Sequence, residues 1–258
     1  MTTIREELWK HKAILFNFAI FDLKVKYRNS VLGILWSLIE PLLLLGVFFV
    51  VFSTIFKFEI ENFVLYLLLG LVTWNFFKNG TSLALGSITN RGAFVQSIYF
   101  PRAIPGLSAG ITASLVLMTE LVIFSVFVVA HNFIPALTII YLIPIFVLEL
   151  IFIMGVALPL SVLNAKFKDV EFIWGVVLQA GFFLTPIFYQ FDMLPETVRS
   201  ILQFSPMVQF VTMAHHVTLY GELPSVNSML YAIFSVGITV IIGYLIFRKL
   251  QVRIVEEM

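Results

Sequence analysis

The chain has 258 residues, 60% of them apolar, with a net charge of +1 and a charged share of only 12%. A soluble domain carries about twice that charged share, so a mean hydropathy of +1.01 excludes an ordinary water-soluble fold and makes lipid the solvent. Cysteine is absent, which excludes disulfides and thiolate metal sites.

Residues 1–30 read as an N-terminal interfacial amphipathic helix and a basic turn. Over residues 4–27, Glu6, Lys10, Asn17 and Lys24 fall on one helical stripe, and Leu8, Leu15, Phe18 and Val25 on another. The uncharged centre, Ala13–Phe21, is too short to span a bilayer and suits the headgroup level. No small-residue cleavage site follows it, so a signal peptide is not expected. Lys24, Lys26 and Arg28 then lead through Asn29-Ser30 into an apolar run, Val31–Phe56, whose single charge is Glu40.

Residues 31–258 read as one all-α transmembrane domain, with six spans at about 31–56, 63–86, 106–130, 138–163, 172–190 and 226–247. Of the 16 Lys and Arg residues, one orientation puts Arg5, Lys10, Lys12, Lys24, Lys26, Arg28, Arg91, Arg102, Lys166, Lys168, Arg248, Lys249 and Arg253 inside. Only Lys57 and Arg199 then fall outside, so both termini are expected in the cytoplasm. Glu40 lies ten residues beyond Ser30, about 15 Å deep, and Lys78 eight residues before Gly86, about 12 Å deep. Similar depth on consecutive spans makes the two an expected ion pair, with separate polar neighbours as the alternative.

Ser87–Ser108 is a cytoplasmic segment with a short helix, Gly92–Phe100, stopped by Pro101 and bracketed by Arg91 and Arg102. Its Phe94, Val95, Ile98, Tyr99 and Phe100 form an apolar patch that needs a partner or the membrane surface. Glu120 and Glu149 fall near the middles of the third and fourth spans. They read as isolated protonated or hydrogen-bonded carboxyls rather than as a proton pathway, because no matched pair of interrupted helices accompanies them. The connector Gln190–Val226 holds two helix-like pieces, Glu196–Phe204 and Met207–Tyr220, expected as a helical pair at the outer mouth. His215 and His216 read as polar rim residues there.

Among the abundant aromatics, two groups are candidates to line a pathway: Phe48 and Phe52 in the first span, and Phe182, Phe183, Phe188 and Tyr189 around Thr185-Pro186. Aromatic faces stack on sugar rings without binding charge. No phosphate-cradling G-x-x-x-x-G-K-[ST] motif is present, nor H-E-x-x-H or a metal-ligand spacing, so ATP, Mg²⁺ and metal sites are not expected in this chain.

Three stretches carry a resemblance: LKVKYRNSVLGILWSLIEPLL (Leu23–Leu43), FPRAIPGLSAG (Phe100–Gly110) and LTPIFYQFDMLPETVRSILQFSPM (Leu184–Met207). In this order, and behind an amphipathic N-terminal helix, they resemble the membrane subunit of type-2 ABC exporters, in the branch that exports polysaccharides. The resemblance implies a homodimer in the bacterial inner membrane with two copies of a separate ABC ATPase, which binds ATP and Mg²⁺. It implies that residues Asn90–Phe100 form the coupling helix, with Arg91, Phe94, Tyr99 and Arg102 at the ATPase. It also implies that Lys24, Lys26 and Arg28 border the entrance for a lipid-linked, O-antigen-like polysaccharide carried on undecaprenyl diphosphate, as in lipopolysaccharide biosynthesis. Teichoic-acid, capsule and drug exporters share the fold. A membrane enzyme on polyprenyl-linked sugars and an ion-coupled carrier using Glu120 and Glu149 are the readings from other classes. No nucleic-acid partner is expected.

Overall fold

A computed structural model describes residues 11–55, 60–89 and 101–251, and all regular structure among them is helical. The expected coupling helix with Arg91, Phe94 and Tyr99 lies outside the described residues, as do residues 4–10 of the interfacial helix.

Helix α1 (Lys12–Lys26) packs Phe18 and Ala19 inward, with Phe18 against Ile104. Val25, assigned to the same apolar stripe, is instead exposed. Asn29 and Gly33 then take positive φ, 60° and 52°, and turn the chain into a short 3-10 segment, Gly33–Leu35. Helix α2 (Trp36–Phe49) follows and widens into a π segment, Val50–Ile55. The first span is therefore α-helical from Trp36, later than its apolar run begins.

Helix α3 (Phe63–Gly86) is the heart of the fold. Every residue from Leu65 to Phe77 is buried. A helix apolar on all sides has no face to show to solvent, and it is surrounded accordingly. Against it pack α4 (Ala103–Ala130) and α5 (Leu142–Lys166, entered through the 3-10 segment Leu137–Tyr141). Helix α6 (Asp169–Leu184) is held lightly, with Leu178 its one buried residue. The last helix, α9 (Val226–Leu250), packs along α5.

Two short helices lie between α6 and α9. Helix α7 (Glu196–Leu202) is exposed, whereas α8 (Pro206–His215) is mostly buried, with Phe210, Val211 and Ala214 fully covered. The expected outer pair thus divides. One helix sits outside, and the other plugs the top of the bundle against α3, α5 and α9.

Among the described residues, four helical stretches are long and apolar enough to cross a membrane: Trp36–Ser53, Ala103–Ala130, Leu137–Lys166 and Val226–Leu250. These correspond to four of the six expected spans. Helix α3 has the length, 24 residues, but carries Thr73, Asn75, Lys78 and Asn79. The expected fifth span, 172–190, is corrected to α6. Thr185 precedes Pro186 and takes extended φ −94° and ψ 137°, because the proline ring disfavours helical geometry in the residue before it. At 16 residues α6 is about 24 Å long, and the expected span continues beyond it as non-helical chain from Thr185 to Gln190.

The α5–α9 crossing is a close one. A Cβ on Gly243 would collide with the backbone carbonyl of Gly155, and one on Gly155 would meet the Val240 backbone at 3.1 Å. Small residues let helix backbones approach where no hydrophobic force from water drives them together. Gly243→Leu is expected to destabilise the protein by about 1–3 kcal/mol through overpacking. Gly46→Ala, at an α2 position with open space around it, should instead be neutral or stabilising. Thermal unfolding in detergent distinguishes the two.

Candidate functional site

Three constellations stand out, one joining α1 to α4, one in the aromatic middle and one beside α8, at the end expected to face outward. The first is a polar seam joining α1, α2, α3 and α4. Lys78 Nζ donates to Glu40 Oε1 at 2.8 Å, tying α2 to α3. Lys26 Nζ, from α1, donates to Asn79 Oδ1 at 3.1 Å, one residue along from Lys78. Glu40 and Glu120 are the carboxylates whose charge reaches Lys26. Glu120 is buried on α4 with Asn75 of α3 as its polar neighbour, and the Ser37 and Thr119 hydroxyls are 3.3 Å apart.

The basic cluster therefore divides. Lys24, Lys26 and Arg28 are all exposed, and the Lys26 side chain is bonded to α3. Sequence reasoning paired Glu40 with Lys78 but missed Lys26–Asn79. Its available signal was the Asn75/Asn79 spacing of four on the helix that carries Lys78. Glu149 of α5 is fully buried, and neither carboxyl oxygen has a hydrogen-bond partner among the described residues.

The second constellation merges the two aromatic groups. Phe48 stacks on Phe182 and on Phe188, each at 5.6 Å, and Phe52 stacks on Phe188 at 4.7 Å. Phe183 meets Phe182 edge-on at 5.4 Å, and Tyr189 meets Phe188 edge-on at 5.2 Å. The π segment in the first span and the chain break at Thr185-Pro186 both lie here, which is how α2 and the end of α6 present rings to one another. Phe188 is buried beneath the cluster, whereas Phe183 is exposed. Tyr66 secures the irregular strand of chain by donating from its hydroxyl to the Tyr189 carbonyl at 2.8 Å.

The third is a cavity of about 320 Å³ at the outer end. Its ring-bearing wall is Tyr66, Phe191, His215 and Tyr220, and its polar wall is Gln190, Asp192, Thr212 and His216. The expectation of two rim histidines is corrected here. His216 is partly exposed and bonds Glu222 at 2.9 Å, but His215 is 2% exposed, because α8 inserts between helices. The His215 ring stacks on Tyr66 at 3.7 Å. Burial pushes its imidazole down to about 3, against the opposing pull of the Tyr66 carbonyl. It is therefore neutral, and since a carbonyl only accepts, Nε2–H donates to Tyr66 at 2.9 Å. Arg102, expected at the ATPase face, donates to the Gln251 carbonyl at the end of α9.

Long apolar helices that carry few charges, and a stacked aromatic cluster, define a multi-pass helical membrane protein. Residues 18–219 match the ABC-2 type transporter family, and the chain belongs to that family of transporter membrane subunits. It is 30% identical to the O-antigen export system permease protein RfbA of Klebsiella pneumoniae, over 91% of each chain. It is 24% identical to RfbA of Myxococcus xanthus over 89% of each. With the polysialic acid transport protein KpsM of Escherichia coli it shares 21% identity over 88% of this chain and 89% of that one.

Two outcomes follow from this geometry. Glu40 and Lys78 pair at bilayer depth, where a lone charge costs roughly 2.5–3.5 kcal/mol, so each single alanine substitution should lower the melting temperature more than the double substitution does. Additive thermal-shift effects of the two single substitutions would show no interaction. His215 binds no proton in the fold until pH is near 3, whereas unfolded it binds one below about 6.5. Its contribution is thus fully present above about 6.5 and declines as pH falls, reaching a loss of about 2 kcal/mol by pH 5. His215→Phe should flatten the pH dependence of the melting temperature between pH 7 and 5.

Proposed function

We propose that this chain is the membrane-spanning subunit of an ATP-driven exporter of polysaccharide, of the O-antigen or capsule type. The observation that carries this is an end-to-end likeness to permeases named for O-antigen and polysialic acid export. The single aromatic cluster built from α2 and the end of α6 supports it, since ring faces hold a neutral sugar chain without fixing it.

ATP hydrolysis then belongs to a separate ABC ATPase, two copies of which serve a homodimer of this chain. Helix α6 supports a dimer: its Phe172, Ile173 and Val176 are exposed and its own bundle covers almost none of it. Both termini are assigned to the cytoplasm, where the Asn90–Phe100 segment meets the ATPase. The substrate is assigned a lipid diphosphate carrier, and the exposed Lys24 and Arg28 stand where its anionic group would arrive. Arg28 offers a planar fork for phosphate, and Lys24 a point charge. Lys26, engaged with Asn79, holds the entrance in shape rather than contacting the carrier.

The test is export of lipid-linked polymer by the chain and its ATPase in reconstituted vesicles. Export that requires ATP supports the reading; export driven by a proton gradient without ATP overturns it in favour of an ion-coupled carrier. Phe94→Asp should uncouple ATP hydrolysis from export with membrane insertion unchanged. Arg28→Lys should slow export about tenfold at unchanged expression and orientation, as expected for losing one bidentate phosphate contact. Wild-type export by Arg28→Lys and by Lys24→Gln would leave the cluster a topological role only.

A further inference from the structure

The outer cavity is aromatic and polar at once, and its walls constrain what it can hold. Phe191 and Tyr220 supply ring faces, and the buried Tyr66–His215 stack forms the floor beneath them. Gln190, Asp192, Thr212 and His216 supply an amide, a carboxylate, a hydroxyl and an imidazole. A pyranose has the matching two surfaces, a C–H face that stacks on rings and a rim of hydroxyls that both donate and accept. Thr212 Oγ1 is buried behind this wall and has no hydrogen-bond partner among the described residues.

Charge narrows the ligand further. Asp192 pairs with Arg199 at 3.1 Å, and its side chain is still 86% exposed. Glu222 pairs with His216, and the charges of Glu61, Asp192 and Glu222 all reach Tyr220. Three carboxylates against one arginine repel a phosphate or an anionic lipid headgroup, whereas a neutral sugar is indifferent to that field. The volume, about 320 Å³, is at the small end of the range for small-molecule sites, with room for roughly one or two sugar rings.

We propose that this cleft is a binding site for one or two neutral pyranose residues of the glycan on the outer face of the protein. It lies apart from the Phe48–Phe188 cluster but is joined to it, because Tyr66 lines the cleft and also holds the Tyr189 carbonyl. A sugar seated there would press on the chain segment that carries the aromatic cluster. The inference rests on the polysaccharide-export reading for its ligand and on the cleft's own chemistry for its location.

The test is saturation-transfer NMR on the complex of the chain with its ATPase in nanodiscs, using the methyl α-glycosides of glucose, galactose and mannose as probes. Saturation transfer to at least one glycoside is expected, with Phe191→Ala and Tyr220→Ala each lowering it about fivefold, the value of one lost ring contact. Tyr220→Phe should keep most of it, and Asp192→Asn, a change at an exposed position that leaves the fold intact, should lower it about threefold. Inorganic phosphate in excess should not compete. Transfer to none of the three glycosides, transfer unchanged in Asp192→Asn and Phe191→Ala, or displacement by phosphate would each overturn the proposal. The export assay separates this from the functional reading. Wild-type export with no glycoside binding removes the cleft alone, and binding without ATP-dependent export removes the exporter while leaving the cleft.

Discussion

Inside a bilayer an unsatisfied polar group has no water to turn to, and this one constraint explains most of the arrangement. Lys78 lies about 12 Å from the inner end of α3, where an isolated ammonium costs roughly 2.5–3.5 kcal/mol on insertion scales. Glu40 on α2 offsets that cost at 2.8 Å, and in doing so it fixes the register of α2 against α3. Asn79, one residue along, then receives Lys26 from α1. The interfacial helix is thereby tied to the buried core through a side chain that its basic character alone would have placed among the lipid headgroups. The same rule works at the inner end of α5, where Asn164 donates to the Leu85 carbonyl at 2.9 Å and caps an open turn of α3.

What was legible in the sequence follows from which physical signals are local. Length and apolarity are local, so Ala103–Ala130, Leu137–Lys166 and Val226–Leu250 were recoverable to within a few residues. The Glu40–Lys78 pairing was legible because depth along consecutive helices can be counted. The end of α6 was missed although its signal was present: Pro186 disfavours helical geometry at Thr185, which an apolar count through Gln190 ignores. Burial of α8 could not be read from its ten residues, because Met207, Phe210 and Val211 look the same whether they face lipid, a mouth or a core. Only the neighbouring helices decide, and with them the fate of His215.

The aromatic cluster shows a different limit. Phe48 with Phe52 and Phe182 with Phe188 were legible as two groups, and nothing along the chain says that they touch. Contact depends on two irregularities, the π segment Val50–Ile55 and the extended stretch after Thr185. Irregular backbone at this depth is tolerable only where other groups satisfy it. Here Tyr66 does so, its hydroxyl donating to the Tyr189 carbonyl at 2.8 Å, while its ring packs on His215. One tyrosine on the central helix thus joins the outer cavity to the middle of the molecule.

That junction bears on how ends of the protein communicate. At the inner end, Arg102 at the start of α4 reaches the Gln251 carbonyl at the end of α9. Helix α9 in turn cannot slide on α5 without parting the Gly155–Gly243 contact, since there is no side chain between the backbones to yield. Arg102, α9 and α5 thus lie on one continuous run of close-packed helices. At the outer end α8 packs on both α9 and α3, so the same rigid set ends at Tyr66 and His215. The buried Glu149 of α5, partnerless among the described residues, contributes no hydrogen bond to this run of helices.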